Sequence, residues 1–206
     1  MNCRLKLNEL NPEVREKVIE TFRYTNVEVD EWYDGVYEDV KNIAPLLGID
    51  LIRTNGSPLI FFSGFSSQGD GASFRGDYTP RATAVEDITQ HAPEDTTLLE
   101  IARELTAFQV TMRMRYGTEV YALVQSTSSH YCHSGTMALA QIGFEGSFVD
   151  EDQPTADEEQ TLLTLMRRFA DWIYKSLENE HDYLTSDEVV TESLADLLFD
   201  EDGTVI

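Results

Sequence analysis

Cysteine is almost missing from the sequence, which contains only Cys3 and Cys132 among its 206 residues. Two cysteines cannot form the disulfide framework of a small secreted domain, and they do not make the CxxC pairs of a zinc site. A long apolar run is missing as well. None approaches the roughly 20 residues that span a bilayer, and the first residues carry no apolar signal core. We therefore expect a protein of a reducing cytoplasm that does not insert into a membrane.

Basic residues are also few in this sequence. The chain has 15 Lys and Arg against 38 Asp and Glu, which gives a formal net charge of −23. Such a field repels nucleic acids and anionic membranes, and it attracts basic proteins. We therefore expect a basic protein partner and no direct binding of nucleic acid; the sequence does not specify an oligomeric state.

The acidic residues are concentrated toward the end of the sequence. Residues 150–206 contain 17 acids and 3 bases, whereas residues 1–149 contain 21 acids and 12 bases. One interpretation is a solvated acidic surface. The other is a surface that imitates nucleic acid and binds a basic, nucleic-acid-binding partner. The candidate partner-binding residues are Asp150, Glu151, Asp152, Asp157, Glu158 and Glu159.

The spacing of apolar residues predicts an α+β fold, with an antiparallel sheet of about five strands and helices packed on it. The charge pattern divides the chain into an α+β core domain, 1–149, and an acidic helical C-terminal segment, 150–206, packed on that core. Helices are expected near residues 11–24, 31–47, 81–91, 93–117, 156–180 and 186–198, and strands near 49–53, 58–65, 72–78, 119–125 and 136–142.

The loop between the second and third predicted strands is the most distinctive stretch, and it reads SGFSSQGDG between Phe62 and Ala72. Glycine tolerates positive φ and lets other groups approach the backbone closely. The loop is therefore either a turn whose polar side chains bond their own backbone, or a ligand contact. It lacks the GxxxxGK[ST] motif, which excludes a P-loop. The candidate ligand-binding residues here are Gln68, Gly69, Asp70 and Gly71.

Two of the four histidines, His130 and His133, lie near the predicted turn of a second hairpin. Two imidazoles can bind a divalent metal, and Asp70 can add a carboxylate if the two hairpins are neighbours. A histidine can also act as an acid or base, with Tyr131 or Ser134 beside it. The alternative is a polar turn. Asp70, His130 and His133 are thus candidates without an assigned catalytic role, and no cofactor other than such a metal is expected.

Three segments carry a resemblance: FSGFSSQGDGASF at 62–74, HYCHSGTM at 130–137, and YLTSDE at 183–188 with EDG at 201–203. Together they resemble a poorly characterised family of small phage and prophage proteins, some of which carry the label "antitoxin of toxin–antitoxin stability system". The resemblance spans most of the chain. It implies a mobile-element origin and the cytoplasm of a bacterial host, where small acidic proteins neutralise a toxin or block a host defence.

Two functional hypotheses follow. The first is an acidic protein that binds and neutralises a basic toxin, nuclease or defence protein through residues 150–206. The second is an enzyme, or a protein that sequesters a small ligand, acting on a nucleotide-like molecule. Backbone N–H groups around Gly69 and Gly71 would then hold a phosphate, and a histidine would supply charge or a proton. The sequence favours the first, because the acidity is extreme and no complete catalytic set is present.

Overall fold

The computed structural model describes residues 4–29, 31–128, 131–144 and 153–206. Within these ranges the chain has the α+β fold that the sequence predicts. The helices are α1 (Pro12–Thr21), α2 (Asp34–Ile43), α3 (Ala84–His91), α4 (Thr96–Tyr116), α5 (Ala156–Leu184) and α6 (Asp187–Ser193). The strands are β1 (Ile49–Leu51), β2 (Arg53–Thr54), β3 (Ser57–Pro58), β4 (Ile60–Phe62), β5 (Ala72–Phe74), β6 (Gly76–Tyr78), β7 (Val120–Ser126) and β8 (Met137–Phe144).

The main sheet is antiparallel, with strand order β1-β6-β7-β8. Two short ribbons, β2-β3 and β4-β5, accompany it. Both predicted hairpins are confirmed: β4 pairs with β5 around the glycine-rich loop, and β7 pairs with β8. In β7, Val120, Ala122 and Val124 share one face of the strand, and all three are buried.

The predicted third strand, 72–78, is divided into β5 and β6, and its partner is a composite of β1 and β4. Ile49–Leu51 pairs with β6, and Ile60–Phe62 pairs with β5. Between them, Ile52 donates its N–H to the Arg75 carbonyl at 2.9 Å, and Arg75 donates to the Leu59 carbonyl at 2.9 Å. The small hairpin β2-β3 is therefore an insertion that interrupts one strand edge without breaking the ladder.

Local residue choice explains the helix ends. Pro45 cannot donate a backbone hydrogen bond, and α2 passes into a 3-10 helix, Ala44–Leu47, that Gly48 ends at φ +81°. The Asp95 carboxylate caps α4 by accepting from the Leu98 N–H at 2.9 Å, and Gly117 ends that helix at φ +76°. Both glycines are in the left-handed conformation that favours this residue at a helix terminus.

Backbone contacts divide the chain into two compact units. The first consists of residues 1–35 and 177–206, and the second of residues 36–176. This division differs from the one drawn from charge at residue 150, because the first two-thirds of α5 bury an apolar face in the second unit. The inward residues of that stretch include Leu162, Met166, Phe169 and Ile173, all with no accessible surface.

In the second unit, the helices and the sheet are joined by apolar packing and by one buried amide. The Phe74 ring lies edge-on to the Phe169 ring, with centroids 5.6 Å apart. Gln109 of α4 donates from Nε2 to the Val120 carbonyl at 2.9 Å and accepts the Val120 N–H at 3.0 Å. The same Nε2 donates to the Tyr78 hydroxyl at 3.2 Å. Gln109 therefore satisfies the backbone at the start of β7.

The first unit brings the two ends of the chain together. Leu5 and Phe199 exchange two backbone hydrogen bonds, each 2.9 Å long. Gly203 has φ +86°, and a Cβ there would lie 2.6 Å from Val18 Cγ2. The EDG turn at 201–203 therefore packs against α1. The buried residues of this unit's core are Leu7, Leu10, Val18, Val190, Leu194 and Phe199.

No described helix combines the length and the apolar character needed to cross a membrane.

Candidate functional site

The glycine-rich loop and the loop of the second hairpin are in direct contact. A Cβ at Gly71 would lie 2.5 Å from His133 Cβ and 2.6 Å from His133 Cα. A Cβ at Gly69, which has φ +101°, would lie 3.5 Å from Tyr131 Cδ1. The side chain of His133 therefore occupies the space that any larger residue at Gly71 would need. The two hairpins are therefore neighbours in the fold, a point that the sequence left open.

Asp70 uses its carboxylate inside its own loop. Oδ2 accepts the Ser67 N–H at 2.6 Å and the Ser66 N–H at 3.0 Å, and the Asp70 N–H donates to the Ser67 carbonyl at 3.1 Å. The same oxygen would lie 3.4 Å from a Cβ at Gly64. Asp70 thus closes a tight turn, which is the structural interpretation of the GDG sequence. Gln68, in contrast, is exposed.

His133 is half-buried, and its ring is directed at Gly135. The ring atoms Cε1 and Nδ1 would each lie 2.8 Å from a Cβ at Gly135. Its carbonyl accepts the Thr136 N–H at 2.9 Å and the Thr136 hydroxyl at 2.7 Å, which sets a short 3-10 turn at Ser134–Thr136. His130 lies outside the described residues. Among the residues described, no three His, Cys, Asp or Glu side chains are grouped closely enough to hold a metal ion.

Two neighbours of His133 differ in what they offer a ligand. Tyr131 is 60% exposed, and its ring centroid lies 6.4 Å from that of His133. It is a surface on which a flat molecule can stack. Burial raises the pKa of the Cys132 thiol, so its reactive thiolate form is disfavoured. We therefore assign no nucleophilic role to Cys132.

Helix α5 supports both loops with side chains two turns apart. Tyr174 donates its hydroxyl to the Gly64 carbonyl at 3.0 Å, and its ring stacks on Phe65 with centroids 5.5 Å apart. Arg167 donates from Nη2 to the Met137 carbonyl at 2.9 Å and to the Gly135 carbonyl at 3.3 Å. Seven-residue spacing puts both side chains on one helix face. The sequence contains that spacing, but nothing local shows that it points at the loops.

Three buried polar atoms without a hydrogen-bond partner lie at residues around this contact: Ser63 Oγ, Ser73 Oγ and Arg167 Nε. Phe61 is opposite Ser73 in the β4-β5 register, and the Ser63 N–H donates to the Gly71 carbonyl at 3.1 Å. Since side chains alternate along strands, both serines lie on the face that His133 covers at Gly71. A buried polar group without a partner costs roughly 1–3 kcal/mol. These three groups are therefore the unsatisfied buried polar atoms among the described residues around the loop contact.

The acidic candidates fall into three groups. Asp150, Glu151 and Asp152 lie outside the described residues. Asp157 is exposed and Glu159 half-buried. Glu158 is only 9% exposed and is fully engaged inside the fold.

The carboxylate of Glu158 joins the start of α5 to the end of α4. Oε2 accepts from the Thr155 N–H at 2.7 Å, the Thr155 hydroxyl at 2.8 Å and the Tyr116 hydroxyl at 2.8 Å, while Oε1 accepts from Arg115 at 2.9 Å. Burial by itself would raise the pKa of Glu158. The hydrogen bonds from Thr155 and Tyr116 and the charge of Arg115 outweigh it, and the pKa is lowered. A partner surface at the start of α5 therefore has Asp157 and Glu159 available, while Glu158 holds the helix in place.

The end of the acidic segment 150–206 lies outside the six candidate partner-binding residues. Residues 178–206 contain ten Asp and Glu and no Lys or Arg. The exposed acids of this stretch are Asp182, Asp187, Glu188, Glu192, Asp196, Glu201 and Asp202. The charge count over 150–206 combines this stretch with the residues before it, which contain all three bases of the segment.

Comparison with known proteins identifies a family but no activity. Neither a curated protein nor a solved structure matches the chain. Residues 32–187 match the model of a family described as "Domain of unknown function (DUF8835)". The matched range includes both hairpin loops and the whole of α5, so the contact between the loops lies within the family's domain. On a match that covers most of its length, the chain belongs to the DUF8835 family.

Proposed function

We propose that this protein binds and neutralises a basic or nucleic-acid-binding protein through the acidic surface of residues 178–206. The observation that carries the proposal is the charge of this stretch, which has ten acids and no Lys or Arg. Opposite charge steers two proteins together and suppresses wrong partners. The resemblance to phage and prophage proteins favours a toxin, a nuclease or a defence protein as the partner, in the cytoplasm of a bacterial host.

The acids of this surface differ in how far they are already neutralised. Asp187 is 2.7 Å from Arg23, and Asp196 is 3.9 Å from Lys6. Four others, among the residues that the structure describes, have no cation within ion-pair distance: Glu188, Glu192, Glu201 and Asp202. A carboxylate that is exposed and unpaired in the free protein is available to the lysines and arginines of a partner.

Two simpler roles compete with this proposal. Asp187 and Glu188 occupy the first turn of α6, where negative charge interacts favourably with the helix dipole and stabilises the helix. Acidic residues also increase solubility without binding anything. The helix-dipole role applies only to Asp187 and Glu188, and the solubility role predicts that no specific partner binds.

The test is capture from a bacterial lysate on the immobilised protein, with elution along a salt gradient. We expect a basic, nucleic-acid-binding protein that is retained at low salt and released as salt screens the attraction. Retention of no such protein, at any salt concentration, would contradict the proposal.

A second candidate function is favoured by the contact between the loops. The loop contact places Gly69 beside Tyr131 and Gly71 beside His133, with Gln68 and Ser134 next to these residues in the chain. This arrangement supports binding of a small phosphate-bearing molecule, for which an exposed aromatic ring would supply a stacking surface. Enzymatic turnover has no such support, because Asp70 is engaged within its loop.

The second candidate is tested by titrating the protein with adenosine monophosphate and with inorganic phosphate. Gln68 and Tyr131 are exposed, so Gln68→Ala and Tyr131→Ala should leave the fold intact. Weaker nucleotide binding in both variants supports the loops as the site. Binding that neither variant changes would place the ligand elsewhere.

A further inference from the structure

A cavity of about 100 Å³ lies in the second unit, beside α3, α4 and β6. Its volume corresponds to about three water molecules at roughly 30 Å³ each, and so to one small organic molecule. Its apolar lining includes Leu47, Leu105 and Val110, and its polar lining includes Tyr78, Gln109 and Glu119. Most ligand pockets have an apolar lining with a few polar groups and a volume of roughly 300–1,000 Å³, so this smaller cavity admits only a very small molecule.

One wall of the cavity carries a buried hydrogen-bond donor. The Tyr78 hydroxyl oxygen accepts the Gln109 Nε2–H at 3.2 Å. The Gln109 Oε1 accepts the Val120 N–H at 3.0 Å. Among the described residues, nothing accepts that proton, although Tyr78 is only 2% exposed. Burial raises the pKa of Tyr78 to about 12, so the phenol remains a donor at neutral pH.

Two guanidinium groups line the same cavity. Arg81 donates from Nε to Asp87 at 2.6 Å, and Arg113 donates from Nη2 to Glu119. A guanidinium has five N–H donors, and these two contacts use one on each arginine. Further donors therefore remain on both side chains, which are about half exposed. Asp87 and Glu119 offset the two guanidinium charges, so the arginines contribute directed N–H donors to the cavity rather than net positive charge.

We propose that this cavity binds a small monocarboxylate. Its apolar body packs against Leu47, Leu105 and Val110, and its carboxylate accepts hydrogen bonds from Tyr78 and from the two arginines. A carboxylate has about four acceptor sites and suits planar guanidinium donors. The volume favours an acid the size of butyrate over a long-chain fatty acid. This site uses none of the residues of the two loops or of the acidic stretch 178–206.

The experiment is an NMR titration of the full chain with sodium butyrate, read from the side-chain amide of Gln109 and the backbone amides of α4. Butyramide, which has a similar shape without the charge, is the matched ligand, and sodium chloride controls for ionic strength. We expect saturable shifts with butyrate, a dissociation constant of roughly millimolar order, and at least tenfold weaker binding of butyramide. Absence of saturable shifts with butyrate, or equal binding of butyramide, would overturn the proposal.

Variants locate the site. Val110→Trp should fill the cavity and abolish binding, whereas Met114→Trp, one turn further along α4 and 84% exposed, should bind as the wild type does. Tyr78→Phe removes only the hydroxyl and should weaken binding about fivefold to tenfold. Thermal melts establish that each variant is folded. Butyrate binding that survives Val110→Trp in a folded protein would also overturn the assignment.

Discussion

Gly71 and His133 touch at a point where only a glycine fits. The separation of 2.5 Å between a Cβ at Gly71 and the Cβ of His133 is shorter than the closest approach of two carbon atoms that are not bonded to each other. The loops of two hairpins that are distant in sequence are thereby joined at one residue pair, and α5 supports both of them through Tyr174 and Arg167.

We predict that Gly71→Ala destabilises the protein by about 1–3 kcal/mol, because one of the two loops must shift to admit the methyl group. Gly35→Ala is the matched control. No atom lies within 4 Å of a Cβ at Gly35, and alanine is the better helix former there. Urea denaturation measures both variants. If Gly71→Ala is as stable as the wild type, the loops are not held together at this pair.

We predict that Asp70→Ala destabilises the loop, since it removes the acceptor for the N–H groups of Ser66 and Ser67. The expected loss of unfolding free energy is about 1–3 kcal/mol. Asp70→Asn keeps one side-chain oxygen and should lose less. Backbone amide exchange at both serines should accelerate in the alanine variant. Unchanged exchange together with a loss of divalent-metal binding would assign Asp70 a ligand role instead.

The lowered pKa of Glu158 predicts a loss of stability in acid. A carboxylate whose folded-state pKa is depressed contributes stability above its unfolded pKa of about 4.3, and the contribution disappears as the pH falls through the lower, folded value. Glu158→Gln should therefore be less stable than the wild type at pH 7. The difference should narrow as the pH falls below about 4. A stability difference between Glu158→Gln and the wild type that does not depend on pH would show that the charge of Glu158 does not contribute to the contact between α4 and α5.

The raised pKa of Tyr78 predicts a loss of stability at alkaline pH. Burial raises its pKa to about 12, so its contribution is complete below the ordinary tyrosine pKa of about 10. The contribution is lost as the pH rises from there through the folded value. Tyr78→Phe cannot ionise and should lose less stability between pH 10 and pH 12. Chemical denaturation at a series of pH values compares the two proteins, and parallel curves would exclude Tyr78 as the group responsible.

Helices were predictable from sequence because their signals are local. Asn11 followed by Pro12 starts α1, and Gly48 and Gly117 stop helices at left-handed positions. Both hairpins followed from alternation and turn residues for the same reason. Helix α6 ends at Ser193, earlier than the predicted residue 198, because apolar residues continue past the helix into the chain that leads to Phe199.

The site was less predictable because its contacts are long-range. Nothing near Gly71 in the sequence indicates His133, and nothing near Glu158 indicates Tyr116 or Arg115. The S/T-x-x-E pattern formed by Thr155 and Glu158 is a capping box, and it would have marked Glu158 as a structural residue. The composite edge of β1 and β4 was hidden because the β2-β3 insertion resembles an ordinary turn.

The proposed function requires that the exposed acids of residues 178–206 bind a basic partner. The most direct measurement compares two triple variants in the salt-gradient capture. Glu188→Gln, Glu192→Gln and Glu201→Gln together neutralise three unpaired acids of that stretch. Asp39→Asn, Glu86→Gln and Glu94→Gln together neutralise three exposed acids of the second unit. With both variants folded, we predict that only the first releases the partner at markedly lower salt. Equal release from both variants, or no basic partner at all, would contradict it.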